Sequence, residues 1–217
     1  MPILGKVHPE PRQSVGTIIQ RARNNGHIID YREARGDSLI SRARQNIMNQ
    51  FLKEDYDYLM FVDDDIVWHP KTPEDSLIDT FINHKKDIIS ALYVIRGFPH
   101  NQTCRLIDDV PNPDFRKAED LIQIRYAATG CTLYSKRVLE DLGKSYIYPF
   151  QPFVYEGEYL SEDWALCQRA IDRGYTIWLD TTIQLGHIGS YEYSLKDYYN
   201  IIDNYNINIQ GNPEVKK

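Results

Sequence analysis

Asp63, Asp64 and Asp65 stand in an unbroken run directly behind the apolar stretch Tyr58–Val62. A continuous apolar run of this length reads as a strand buried on both faces, so the aspartates fall at its carboxyl end. In an extended chain alternate residues share a face, which puts Asp63 and Asp65 on one side and Asp64 on the other. Their Cβ atoms are then about 6–7 Å apart. Hard carboxylate oxygens on one side suit Mg2+ or Mn2+, which in turn can bridge a diphosphate. A solvated acidic turn ahead of Pro70 is the plainer alternative, and it explains one aspartate better than three.

Two further constellations could work with such a cluster. Residues 38–53 read as a helix with Asp37 placed to cap it. Ile40, Ala43, Ile47 and Phe51 form its inward stripe. Arg44 lies about 40° from the centre of that stripe at 100° per residue, and Arg42 lies on the opposite side. A guanidinium on a buried edge requires an anion, either a diphosphate or one of the aspartates. Arg42 reads equally well as a solvent-facing charge and as a phosphate contact. Later, Ser161 caps a helix that ends near Gly174, with Glu162 and Asp163 in its first turn. Acids there commonly answer the helix dipole. Asp163, however, shares its side with Cys167, Ala170 and Ile171, whereas Glu162 is turned about 100° away. Asp163 is therefore the acid placed to look into a cleft as a general base, and the dipole role weighs more for Glu162. His187 is flanked by Gly186 and Gly189, a close-packed setting in which a nitrogen ligand would tilt a metal site from Mg2+ towards Mn2+.

The elements that must position these residues alternate between short strand-like runs and longer helix-like patterns, an α/β order. Strands are expected at residues 3–7, 27–31, 58–62, 88–95, 121–127, 131–135 and 175–179. Helices are expected at residues 15–23, 38–53, 74–84, 136–142 and 161–174. Residues 97–120, rich in Pro, Asn and Asp and including Pro111 and Pro113, read as one long loop. The tail from Tyr191 is rich in Tyr and Asn, with residues 213–217 frayed. With 217 residues and a net charge of −6, one compact domain is expected and a broad grip on nucleic acid is not. Cys104, Cys131 and Cys167 show neither a disulfide framework nor zinc spacing. No apolar run suits a signal peptide or a membrane span, so a soluble cytoplasmic protein is the expectation. GxGxxG and GxxxxGK[ST] motifs are missing.

Taken in order, the segments DSLISRARQNI, YLMFVDDDIVWHP, YLSEDWALCQRA and LGHIGS resemble nucleotide-sugar glycosyltransferases of the GT-A fold. The resemblance implies a single α/β domain with a mixed, mostly parallel central sheet flanked by helices. It implies a catalytic unit over residues 1–190, with a nucleotide-binding half over about 1–95 and an acceptor half over about 96–190. Residues 191–217 then form a C-terminal extension, which could dock a further domain of a longer chain. The implied ligands are a nucleotide-sugar donor, a UDP-sugar first, Mn2+ or Mg2+, and a glycan acceptor. Asp63 and Asp65 would hold the metal and the ribose, and His187 would complete the metal shell. Asp64 and Asp65 are the rival pair. Asp37, Arg42, Arg44 and Arg96 would meet the donor, and the base would lie near residues 8–10. Asp163, with Glu162 beside it, would take the proton of the acceptor hydroxyl in an inverting transfer. The QxxRW element of processive synthases is absent after Asp163, so transfer of one hexose is expected.

Two rivals stand beside this reading. FVDDDIV also fits the DxDx[TV] pattern of haloacid-dehalogenase phosphatases, with Asp63 as nucleophile. That motif belongs on a first strand, and here the run begins far into the chain. A non-catalytic carbohydrate-binding module using the acids for Ca2+ is the other, but such modules are mostly all-β.

Overall fold

A computed structural model describes residues 2–3, 9–110 and 113–211. The expected strand at 3–7, Pro111 and the frayed end at 213–217 lie outside the described residues, apart from Ile3. In chain order the elements are β1 (Pro2–Ile3), α1 (Pro9–Asn24), β2 (Ala34–Arg35), α2 (Ile40–Phe51), β3 (Tyr58–Val62) and β4 (Ile66–Trp68). Then come α3 (Leu77–Asn83), β5 (Ile88–Leu92), β6 (Arg105–Leu106), β7 (Leu121–Tyr126), β8 (Cys131–Ser135) and α4 (Lys136–Ser145). The chain closes with β9 (Phe153–Tyr155), β10 (Glu158–Leu160), α5 (Glu162–Asp172), β11 (Ile177–Ile188), β12 (Glu192–Tyr193) and α6 (Leu195–Gly211).

The main sheet has the order β3-β8-β5-β11-β7-β6, with β4 and β12 both on β11. It is mixed α/β architecture, as expected, but the strands are not mostly parallel. Among the described residues of this sheet, β5 and β11 form the one parallel pair, and the other pairings are antiparallel. The reason is β8, which returns antiparallel between β3 and β5. A strand covered on both faces reads as a continuous apolar run whichever way it points. Direction was therefore not encoded in the pattern.

Helices cover both faces of the sheet. Ile88 and Leu92 feed the core layer that holds Met48, Leu139 and Leu166, whereas Ile89 and Ala91 feed the layer of Ile18, Leu77 and Phe81. The two-residue period of β5 thus serves helices on opposite sides. The tail joins the first layer through Leu195, Tyr198, Tyr199 and Ile202.

Other boundaries moved for local reasons. Residues 27–31 form no strand. The loop at 97–120 holds β6 and a short 3-10 turn at Phe115–Lys117. The hairpin β9–β10, unforeseen from the sequence, turns on Glu156 and Gly157, both at positive φ, the geometry of a two-residue loop. The strand expected at 175–179 is β11, which runs on to Ile188, with a register shift between Asp180 and Gln184. That extension carries His187 to the aspartate run.

Gly130, at the turn into β8, fixes the start of the site. Its carbonyl accepts from the Asp63 N–H at 2.9 Å, and its own N–H donates to the buried Tyr93 hydroxyl at 2.9 Å. A Cβ here would lie 2.3 Å from that hydroxyl oxygen. Gly130→Ala is expected to cost about 1–3 kcal/mol through overpacking. It should lower the urea midpoint with the slope of the transition unchanged, read by circular dichroism. An unmoved midpoint would show that Tyr93 can yield.

Candidate functional site

The three aspartates lie in a turn between β3 and β4 and not in the strand itself, with the Ile66 N–H donating to the Asp63 carbonyl at 3.2 Å. The alternation argument therefore does not apply to them, yet Asp63 and Asp65 still go to separate, well-defined partners. β4 pairs with the end of β11 so that Ile66 stands opposite His187. The Ile188 N–H donates to the Asp65 carbonyl at 2.7 Å. Pairing of β4 with β11 thus brings residues 63–66 and His187 together across more than a hundred positions of sequence.

Arg44 is at the heart of the site. It occupies the inner face of α2 with Ala43, Gln45, Met48 and Phe51, while Ile40 and Ile47 are only partly covered. The inward face is therefore centred closer to Arg44 than the apolar stripe implied. With its side chain 2% exposed, Arg44 donates from Nη1 to Glu162 Oε1 at 2.6 Å and from Nη2 to both Asp63 oxygens at 3.0 and 3.2 Å. Burial alone would lower its pKa, but Asp63, Glu162 and Asp163 outweigh that and raise it, so the guanidinium stays charged. The Asp63 carboxyl is pushed up by burial against the pull of Arg44, and Asp65 adds to the rise. Glu162 is likewise raised by burial and by Asp163, with Arg44 opposing. Nε of Arg44 is buried and has no hydrogen-bond partner among the described residues.

The two acids at the start of α5 exchange the weights given them by face analysis. Glu162 reaches into the fold to Arg44. Asp163 makes the local bonds, accepting from the Trp164 N–H at 2.8 Å and from the Ser161 hydroxyl on the same oxygen, Oδ1. A longer side chain at the first helical position can turn back towards the sheet, which a wheel drawn on Cα positions does not register.

Asp65 forms the second centre. Arg96 Nη1 lies 3.1 Å from its Oδ2, and His187 Nε2 lies 3.4 Å from the same oxygen. Burial would raise the Asp65 carboxyl, but the His187 contact and the Arg96 charge together hold it below the ordinary value. His187 Nδ1 is 2.8 Å from the Val94 carbonyl, which calls for the proton on Nδ1 and aims Nε2 at Asp65. The place between Nε2 and Oδ2 suits either a second ring proton, through which His187 donates to Asp65 and lowers the pKa of its carboxyl, or a cation. A backbone carbonyl fixing the far nitrogen is also how metal-ligating imidazoles are oriented. Among the described residues, no three His, Cys, Asp or Glu side chains converge as a complete metal cage. Asp65 and His187 are the two side chains here whose donor atoms could meet on one ion. Around His187 the backbone is close-packed, as its glycines suggest. A Cβ on Gly186 would strike Glu192, and one on Gly189 would lie 2.9 Å from Tyr193 and 3.3 Å from Arg96.

Arg42 and Asp37 are not part of this cluster. They bind each other at an exposed position, with contacts of 2.7–3.2 Å, and Asp37 Oδ1 also accepts from the Leu39 N–H at 3.0 Å. Asp37 therefore does not cap α2 as expected, because the helix begins only at Ile40, the residue before it is Leu39, and no side chain caps that end. Asp64 is half-buried in the turn. Tyr93, unforeseen as a site residue, lies under both centres: its ring meets His187 edge-on at 5.5 Å, and burial together with Asp63 and Asp163 keeps its hydroxyl protonated. In sequence it is one apolar position among several. Beside the site, a groove of about 860 Å³ runs along β3 between α1 and α2, lined among others by Ile18, Ile29, Tyr31, Tyr56, Met60 and Val62. No described helix is long and apolar enough to cross a membrane.

A family model described as Anp1 matches residues 11–108, somewhat under half of the chain, and no curated protein matches it. Among solved structures the chain is similar to A197 from STIV, at 17% identity and a TM-score of 0.56, over 87% of this chain and 83% of that one. That likeness shows a shared fold. A UDP-glucose pyrophosphorylase complexed with UDP-glucose aligns at 10% identity over 89% of this chain and 72% of that one, but its TM-score of 0.44 is too low to establish common architecture.

Proposed function

We propose that this protein is a nucleotide-sugar glycosyltransferase of GT-A type, moving one hexose from a UDP-sugar to a hydroxyl of a glycan acceptor. The observation that carries the proposal is the pair of adjoining charged centres at the end of β3, Arg44–Asp63–Glu162 and Asp65–His187–Arg96. The match of residues 11–108 to the Anp1 model, a glycosyltransferase-related family, supports it.

Charge counting indicates how a donor would bind. Asp63, Asp65, Glu162 and Asp163 place four carboxylates against the two guanidinium groups of Arg44 and Arg96. A diphosphate would be repelled by that excess unless it brought a counter-charge. Asp65 and His187 would hold a divalent ion, Mn2+ in preference to Mg2+ because of the imidazole, and the ion would supply the positive charge that a departing diphosphate needs. Arg96, half-exposed, can turn from Asp65 to a phosphate oxygen. Glu162 and Asp63 position Arg44, whose charge faces the same end of the sheet. The groove along β3 has the volume of a nucleotide-sized pocket and offers Tyr31 and Tyr56 to a base. The first half of the chain, about 1–95, would thus serve the donor, and about 96–190 the acceptor.

For the acceptor step, Oδ1 of Asp163 is taken up by Ser161 and Trp164, which fixes the carboxylate and leaves Oδ2 for an incoming hydroxyl. Asp163 would remove that proton as the oxygen attacks the anomeric carbon. Use of Asp63 as a phosphatase nucleophile fits less well, because both of its oxygens accept from Arg44.

Thermal unfolding with UDP and Mn2+ is expected to shift upward by about 5–10 °C at a hundredfold excess over Kd, and EDTA should remove most of that gain. Asp65→Ala and His187→Ala should each lose the metal-dependent part. If UDP, GDP and CMP all leave the transition unmoved with Mn2+, the proposal fails. Asp163→Asn should keep the UDP shift while slowing UDP release from UDP-hexoses in the presence of glycan acceptors by about 10²–10⁴-fold. Unchanged turnover in that variant would remove Asp163 from the base role.

A further inference from the structure

The tyrosine-rich segment after β11 has no part in the chemistry above, yet it returns to the same place. In β12, Tyr193 stands directly opposite His187, and directly opposed residues of an antiparallel pair share a face. Tyr193 also packs over Gly189 beside the Arg96 side chain. From there aromatic rings continue outward. Tyr191 and Tyr193 stack with centroids 4.1 Å apart, His100 meets Tyr193 at 5.5 Å, and Phe98 meets His100 at 5.9 Å. The outer members are open to solvent, Phe98 being 84% exposed and Tyr191 48%.

We propose that Tyr191, Tyr193 and Phe98 form a sugar-binding platform that seats the acceptor saccharide beside the Asp65–His187 pair. Three features select a saccharide. The patch combines flat ring faces with phenolic hydroxyls, which suits a ligand that has an apolar C–H face and a polar rim. The carboxylates next to it are already engaged, Asp197 by the Ser194 N–H and hydroxyl and Glu192 by the His69 ring, so a neutral ligand is favoured over a cationic one. The Tyr191 hydroxyl is also set to bond outward. His100 Nδ1 is buried without a partner among the described residues, so the proton belongs on Nε2, which faces the Tyr191 hydroxyl at 3.3 Å. Tyr191 then accepts from His100 and keeps its own hydrogen for a ligand. The platform is continuous with the candidate reaction centre through Tyr193, and only its description as an acceptor subsite rests on the transferase reading.

Saturation-transfer NMR with cellobiose, maltose, lactose and mannobiose at millimolar concentration tests the platform. At least one disaccharide should receive saturation on its C–H protons. That signal should fall at least fivefold in Tyr191→Ala and in Phe98→Ala, both exposed positions, and persist in Val154→Ala, an exposed apolar control on β9. The Mn2+-dependent UDP shift should be the same in all of them. If no disaccharide binds, or if both platform variants bind as the wild type does, the platform is overturned, while an intact UDP shift leaves the transferase reading standing. Sugar binding lost in both variants with no UDP response keeps the platform and removes the transferase. Self-association in sedimentation that Phe98→Ala abolishes, without sugar binding, would assign the patch to a contact between copies and overturn the proposal.

Discussion

The structure depends most on one buried positive charge. Arg44 lies almost wholly out of water on the inner face of α2, and a lone guanidinium there would not be tolerated. It is stabilised from two directions, by Asp63 behind β3 and by Glu162 at the start of α5. Breaking such a buried pair from one side costs about 3–5 kcal/mol, because a charge is left without compensation. That asymmetry makes the triad a strong constraint on geometry even where its net contribution to stability is small. Three elements distant in sequence are tied at one point, and the first aspartate of the run is fixed by it.

A second constraint works through the backbone. β11 is long enough to span the core and then continue past it, accepting β4 on one side of its far end and β12 beside it. His187 is therefore presented from a rigid strand and not from a loop, with Val94 fixing the tilt of its ring. The turn at 63–66 is held between this strand end and the Gly130 carbonyl. A site built on paired strands keeps its ligands in register with little conformational entropy left to lose.

Much of this was legible in the residues, and what was not has identifiable causes. The α/β order, the strand before the aspartates and the prominence of Arg44 follow from apolar periodicity. The preference for Asp63 and Asp65 over Asp64 came from strand alternation, but these residues occupy a turn, and their separate partners arise from β4 pairing with β11. Strand direction was misjudged because burial on both faces erases the difference between parallel and antiparallel runs. Glu162, and not Asp163, makes the long-range ion pair to Arg44, a contact that a helical wheel misses because it has no term for the reach of a glutamate. Tyr93, Tyr193 and the Val94 carbonyl became neighbours of the site only through long-range pairing, which no local pattern encodes.

The two charged centres differ in a way that divides stability from function. In the Arg44 triad the guanidinium is closed off, with both Asp63 oxygens and a Glu162 oxygen directed at it. Around Asp65, by contrast, an imidazole nitrogen and a carboxylate face each other, and the nearby guanidinium of Arg96 is half in water. Ligand exchange at the first centre would unpair a buried charge, whereas at the second it replaces one exposed partner by another at small cost. Charge in the first centre thus holds the framework, and charge in the second is free to be rearranged by whatever binds. The shared aspartate run couples them, because any ion drawn to Asp65 also relieves the repulsion that Asp65 exerts on Asp63.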